Sequence, residues 1–424
     1  MYSRIYGFLT KKNLIYNKQF GFRSNYSTNH AIISLTEEIK SYLDSGHLVG
    51  GIFLDLKKAF DTINHGILIN KLYRYGFRGI SNKLLQSYLE NRKQYVSVNG
   101  HDSDLKDVLC GIPQGSTLGP LLFLIYINDL RFCLKKSKAN HFADDTCIIY
   151  SSKNKKDLET SMNNDLASVS EWLKANRLSL NVSKTKLLFF HSKKKRINQD
   201  EIKIKLDGNT LPPTDYTNYL GMHFDVNLSW DTHINKLSSK LARANGIISK
   251  LRHFVPKNIL ISVYYAIFHS HVLYGCSAWS LSTLKNIQTI NILQKKCLRI
   301  INFKPFNSHT NSLFVLNKII KLKDMINMEQ INLAFQFKHN LLPIDLMSLF
   351  NSNINIYNTR NMKNGGIIAP RINTKSFGEK SIRYSVPLSW NNFIKSNDFN
   401  KFKSPQHLRR SLKTYYLSTY TEDK

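Results

Sequence analysis

HFADDTCIIY, residues 141–150, reads as strand, turn, strand, with Asp144 and Asp145 at the turn. Two adjacent acids between apolar runs are a poor choice for stability alone. Like charges repel, and an apolar setting raises the cost of ionising either one. Upstream, GGIFLDL reads as a buried strand ending at Asp55. Side chains at strand ends are well placed to converge when the strands are neighbours in a sheet.

Three carboxylates meeting in that way match the donors that Mg²⁺ prefers. That ion takes hard oxygen ligands, usually one or two carboxylates completed by substrate phosphates. A pair of such ions about 3.5–4 Å apart stabilises both the attacking and the leaving oxygen of an in-line phosphoryl displacement. Taken singly, an acid after a strand is more often a turn residue or a helix cap. The combination of Asp55, Asp144 and Asp145 carries the reading.

Working outward, Thr28–Leu43 has helical spacing, with Ile32, Leu35, Ile39 and Leu43 on one face. A helical segment is expected from about Ala59, and a second short helix at Ile80–Asn91. QYVSVNG leads into an Asn99-Gly100 hairpin turn, and Leu105–Leu109 returns from it. GIPQGSTLGP is a Gly/Pro loop opening an apolar helix at Leu121–Leu130. Leu158, Met162, Leu166, Val169 and Leu173 mark an amphipathic helix. LLFF, IKIKL and NYLGMHFD read as strands. Beyond Trp230 the pattern turns helical, at 230–252, 258–273, 283–301 and 313–339, and the tail after Asn351 is polar.

The chain carries 60 Lys and Arg against 29 Asp and Glu, a net charge of +31, which favours a polyanionic partner, nucleic acid first. With 42% hydrophobic and 21% charged residues over 424 positions, the composition is that of a globular chain of two or three lobes. The five scattered cysteines show neither zinc-site spacing nor a disulfide framework. The longest apolar run, Leu121–Ile127, is too short to span a bilayer, so a soluble chain is expected.

An ordered series of motifs resembles the reverse transcriptases of non-LTR retrotransposons, the Jockey-like group in particular. The series is QFGFRSNYSTNHAI (19–32), FLDLKKAFDTINH (53–65), GIPQGSTLGPLLFLIYINDL (111–130), FADDT (142–146), LSLNVSKTKLLFF (178–190) and YLGMHFD (219–225). The resemblance implies an α+β right-hand polymerase: fingers and an antiparallel palm over 1–225, a helical thumb and connection over 226–350, and a basic C-terminal extension over 351–424. It implies two Mg²⁺ ions, with Mn²⁺ as a substitute, on Asp55, Asp144 and Asp145. It also implies an RNA template, a DNA primer and deoxynucleoside triphosphates as partners.

Further roles follow from the same resemblance. Phe60 matches the aromatic that closes the sugar pocket against a 2′-hydroxyl. Gln114 and Gly115 match the loop beneath the incoming nucleotide, Arg23 a phosphate clamp, and Lys184 the general acid for the leaving pyrophosphate, with Lys186 in competition. Lys236, Lys240, Arg243 and Lys250 lie in a stretch, Lys236–Arg252, with five basic residues and no acid, and would track duplex phosphates. KKKR at Lys193–Arg196 reads as a solvated loop or a nuclear-import patch. The location expected is intracellular, in nucleus or cytoplasm. Elements of this type carry an endonuclease ahead of the polymerase, so the expectation is a truncated copy with a chemically complete polymerase site. Two rivals stay open: a remnant that binds nucleic acid without polymerising, and a metal-dependent endonuclease.

Overall fold

The computed structural model of the chain describes residues 1–193, 202–350 and 365–422. They separate into two compact units. The first gathers residues 1–27, 47–191 and the described part of 195–215; the second gathers 28–46, 192–193 and the described residues from 216 onward.

The first unit is built on β1 (Leu48–Leu54). A ribbon of β2 (Lys93–Gln94), β3 (Ser97–Val98), β4 (His101–Asp102) and β5 (Lys106–Asp107) follows, and its tip is the expected Asn99-Gly100 turn, with both φ angles positive. Then come β6 (Lys138–Phe142), β7 (Asp145–Ser152) and β8 (Lys186–Phe190), and the small pair β9 (Lys205–Leu206) and β10 (Asn209–Thr210). The main sheet is antiparallel throughout, in the order β6-β7-β1-β8.

β1 is central and buried, which suits its apolar sequence. Its Gly50-Gly51 pair is there for close packing. A Cβ on Gly50 would meet the Met162 sulfur at 2.7 Å, and one on Gly51 the Phe190 ring at 2.8 Å. The Lys155–Ala175 helix lays Leu158, Met162, Leu166 and Val169 into this core, capped at its start by Asn154, whose side chain accepts from the Lys156 N–H. The apolar Gly119–Ile127 helix is buried along its length, and a 3₁₀ turn, Asn128–Cys133, completes the expected 121–130 segment.

Two local expectations shift. The helix placed from about Ala59 begins instead at His65, because Asn64 caps it through the Ile67 N–H and Lys58 turns left-handed ahead of it. IKIKL alternates burial as expected, yet only Lys205–Leu206 pairs as strand.

The second unit contains the hairpin β11 (Tyr216–Tyr219) and β12 (Met222–Asp225), turned through Leu220 and Gly221, both left-handed. The Asp225 carboxylate accepts the N–H groups of Asn227, Ser229 and Trp230, which fixes the entry to the Asp231–Leu251 helix. The Leu284–Ile301 helix lies alongside, and Asn286 donates to Asp231 at 2.9 Å. The expected 258–273 helix holds a π-helical turn at Tyr264–His269. The expected 313–339 helix is two, Asn311–Leu316 and Leu322–Lys338.

The polar tail is folded where it is described. Ile382–Ser396 and Pro405–Glu422 are helices that bury Val386, Trp390, Leu408 and Leu412. The Thr28–Asp44 helix is anchored to them. Buried Glu37 accepts the N–H groups of Ile382 and Arg383, and Asp44 accepts from Thr374 and pairs with Arg383 at 3.2 Å. Among the described residues no helix is long and apolar enough to cross a membrane. In the Lys193–Arg196 run, the residues from Lys194 on lie outside the described ones.

Candidate active site

Register brings the acids together. β1 pairs with β7 so that Leu54 faces Thr146, which sets Asp55 and Asp145, the next residue on each strand, beside one another. Asp144 sits one residue back, in the two-residue turn closed by Phe142 and Asp145. Burial first, and the neighbouring Asp55 charge after it, raise the Asp144 carboxyl above its ordinary range. Burial, then Asp144, then Asp55, push Asp145 up to about 6, although its side chain keeps an exposed edge. Among the described residues, no ion pair reaches any of the three, in a chain whose net charge is +31.

The turn is held hard in place. Ala143 has φ +58°, a conformation that favours glycine. Its N–H donates to Gln19 Oε1 at 3.0 Å, and the Gly21 N–H donates to the same oxygen at 2.9 Å. The segment around Gln19 adds itself to the free edge of β6, with Phe20 N–H to the His141 carbonyl and His141 N–H to the Lys18 carbonyl. A Cβ on Gly21 would stand 2.4 Å from the Ala143 nitrogen, so only glycine permits this approach. Beneath the turn, buried His141 shares a 2.8 Å hydrogen bond with Thr146 Oγ1, and burial holds its imidazole down at about 4, neutral at ordinary pH.

Asp55 is fixed from the other side. Its carbonyl accepts the Asn181 N–H at 2.8 Å, and its N–H reaches Thr185 Oγ1 at 3.4 Å. Lys184 is exposed in this same turn, whereas Lys186 is tied to the Ser183 carbonyl at 3.1 Å. Phe60 stacks on Phe123, centroids 4.3 Å apart, and meets exposed Phe22 edge-on at 6.1 Å. Gln114 donates to Asp61 at 2.7 Å, and Gly115 takes φ +80° in open space. Gly111 and Ile112 donate to the carbonyls of Ile63 and Phe60, which ties this loop to the segment carrying Phe60. A cleft of about 770 Å³ opens between the loop and the ribbon, lined by Asp61, Arg92, Lys93, Leu109 and Gln114; none of the three carboxylates lines it.

Arg23 is engaged locally. Its guanidinium donates to the carbonyls of Tyr16 and Gln19 and lies 3.9 Å over the Tyr26 ring. In the second unit, Lys236, Lys240, Arg243 and Lys250 are all exposed. At 100° per residue they fall within an arc of roughly 80° on the helix, away from the stripe of Ile234, Leu237, Leu241 and Ile248 that is buried.

The residues missed in the sequence are the braces. Gln19 and Gly21 stand in the first motif and Asn181 and Thr185 in the fifth, but only the long-range pairing shows what they hold. Among the described residues no three His, Cys, Asp or Glu side chains form a ready-made metal cage. A magnesium ion that completes its shell from substrate phosphates needs none. The donor set fits such an ion: hard oxygens whose mutual repulsion a divalent cation relieves.

A family profile described as "Reverse transcriptase (RNA-dependent DNA polymerase)" matches residues 1–224, which takes in the first five motifs above and all but the last residue of the sixth. Among curated proteins, the "Probable RNA-directed DNA polymerase from transposon X-element" of Drosophila melanogaster is 28% identical over 70% of this chain and 33% of its own length. The "Probable RNA-directed DNA polymerase from transposon BS" of the same fly is 28% identical over 72% of this chain and 34% of its own. The "RNA-directed DNA polymerase from mobile element jockey", also from that fly, is 25% identical over 73% and 34%. The chain thus spans about a third of the length of the curated relatives it matches.

Proposed function

The chain belongs to the reverse transcriptase (RNA-dependent DNA polymerase) family, and from that premise we propose that it is the polymerase part of a Jockey-like non-LTR retrotransposon protein, working inside the cell in nucleus or cytoplasm. It extends a DNA primer on an RNA template. The primer 3′-hydroxyl attacks the α-phosphate of a deoxynucleoside triphosphate, and pyrophosphate leaves. The observation that supports this most is the β1–β7 register, which sets Asp55 beside the Asp144–Asp145 turn.

Asp55, Asp144 and Asp145 would hold two Mg²⁺ ions, or Mn²⁺ in their place, which when bound supply charge stabilisation for the entering and leaving oxygens. Lys184 stands exposed in the turn that anchors Asp55 and is assigned the proton for the leaving pyrophosphate. The Phe60 ring, stacked on Phe123, is too rigid to yield to a ribose 2′-hydroxyl. Gln114, its amide oriented by Asp61, and the Gly115 backbone form the floor for the incoming nucleotide. Arg23 steadies the Gln19 segment and through it the acidic turn, a positioning role beside the phosphate clamp first expected. Lys236, Lys240, Arg243 and Lys250 would contact duplex phosphates, worth a steep salt dependence.

The test is extension of an oligo-T primer on poly-A in Mg²⁺. Wild type extends it, and Asp144→Asn loses activity by about 10²–10³-fold through the loss of one transition-state charge stabiliser. Wild-type extension by Asp144→Asn would end the site assignment. Salt-sensitive RNA binding without any extension by the wild-type chain would favour the binding-remnant reading.

A further inference from the structure

Two loops of the second unit stand together and carry an unusual surface. Arg252-His253-Phe254 ends the Asp231–Leu251 helix, and Phe303-Lys304-Pro305-Phe306 ends the Leu284–Ile301 helix. The two helices run parallel: Asn286 bonds Asp231 near their starts, Asn245 bonds the Leu293 carbonyl midway, and Arg252 and His253 meet Phe303 at their ends. Three phenylalanines are open to solvent there, Phe254 at 84%, Phe306 at 89% and Phe303 at 57%.

These rings are interleaved with cations. The Arg252 guanidinium lies 4.8 Å from the Phe303 ring centre, and the His253 ring meets Phe303 edge-on at 5.7 Å. Lys257 and Lys304 are exposed alongside, and neither 251–259 nor 301–310 contains an acid. Phe303 holds φ +52° just past the helix end, a position where glycine is favoured. An aromatic therefore occupies a place that backbone conformation alone would give to a smaller residue.

Exposed rings with no core to enter are costly in water. Apolar cover alone would suit a protein partner. Rings alternating with Arg and Lys, without acids, match a single-stranded nucleic acid, whose bases stack on the rings while its phosphates meet the cations. A duplex keeps its bases stacked internally and offers the rings nothing.

We propose that this patch is a docking site for single-stranded RNA, separate from the acidic site on β1 and β7. The choice of RNA over DNA rests on the function proposed above. The occupant is an unpaired stretch of the RNA that the chain copies.

The experiment measures binding alone, so its failure is separable from failure of extension. A fluorescein-labelled oligouridylate of about 16 nucleotides is titrated with the whole chain and with F254A/F306A, alongside a blunt RNA–DNA duplex of the same length. The variant weakens oligouridylate binding roughly tenfold or more and leaves duplex binding within about twofold, since backbone charge dominates there. F254Y/F306Y, which keeps the rings, restores the wild-type affinity. Unchanged oligouridylate affinity in F254A/F306A overturns the proposal, as does an equal loss on duplex and single strand. Loss of binding to phosphatidylserine vesicles, or of concentration-dependent self-association, with RNA affinity intact would assign the patch to a membrane or to a second copy and overturn it as well.

Discussion

Replacing Asp145 by asparagine in metal-free buffer should stabilise the folded chain at neutral pH. In the wild type the Asp145 carboxyl titrates at about 6 rather than 3.8, through burial and the charges of Asp144 and Asp55. A raised carboxyl means the folded chain binds that proton more tightly than the unfolded chain. The folded state is thus penalised as pH climbs from about 4 through about 6, and the penalty is complete above that. Each pH decade is worth about 1.36 kcal/mol, so the full value is ~3 kcal/mol. Asp145 keeps an exposed edge, and water screening brings this down to roughly 1–1.5 kcal/mol. Thermal melts in EDTA read it directly. D145N should melt about 2–5 °C above wild type at pH 8, and the gap should shrink to about a third by pH 4.5 and close below pH 3.8. With saturating Mg²⁺ the order should reverse, because the wild type gains ~2.7 kcal/mol when the ion stands at a hundred times its dissociation constant. Equal melting of the two proteins in EDTA at pH 8, or a gap that does not close in acid, would refute the idea that these carboxylates repel one another across β1 and β7.

Two further outcomes are expected. Phe60→Val, which removes a ring stacked on Phe123, should raise ribonucleotide incorporation relative to deoxynucleotide by roughly tenfold or more, read by single-nucleotide extension; unchanged selectivity would count against Phe60 as the sugar gate. Glu37→Ala leaves the Ile382 and Arg383 N–H groups without their buried acceptor, a loss of about 3 kcal/mol that should lower the second unit's melting point by ~6–12 °C, whereas a melting point within error of wild type would show that this contact does not hold the tail.

The palm strands were legible because their signal is local. Apolar runs end on acids, and an Asp-Asp turn between two such runs admits few alternatives. The Asn99-Gly100 turn and the amphipathic Lys155–Ala175 helix were legible for the same reason. The tail was not. Val386, Trp390, Leu408 and Leu412 are diluted among lysines and asparagines, and what buries them comes from far along the chain, as the bond from Glu37 to Ile382 shows. The local bonds of Arg23 were hidden for a related reason. A motif names the side chain but not the carbonyls of Tyr16 and Gln19 that receive it. The start of the His65–Arg74 helix turned on a single cap, Asn64, that competes with an equally plausible start at Ala59.

On the proposed function, the braces around the acidic turn tie the first motif to chemistry more than a hundred residues later in the chain. Ala143 occupies a left-handed conformation that a Cβ disfavours by about 1–2 kcal/mol, so the turn would relax if nothing opposed it. Gln19 opposes it with one oxygen that accepts from both Ala143 and Gly21, and Gly21 allows the contact only because it lacks a Cβ. On the opposite side, Asn181 and Thr185 grip the backbone of Asp55. On the proposed function, the carboxylates would be aimed before any ion or nucleotide arrives, their repulsion held within a braced frame. A site arranged in that way need not reorganise when charge develops on a phosphoryl group, which is the condition under which electrostatic stabilisation acts most strongly.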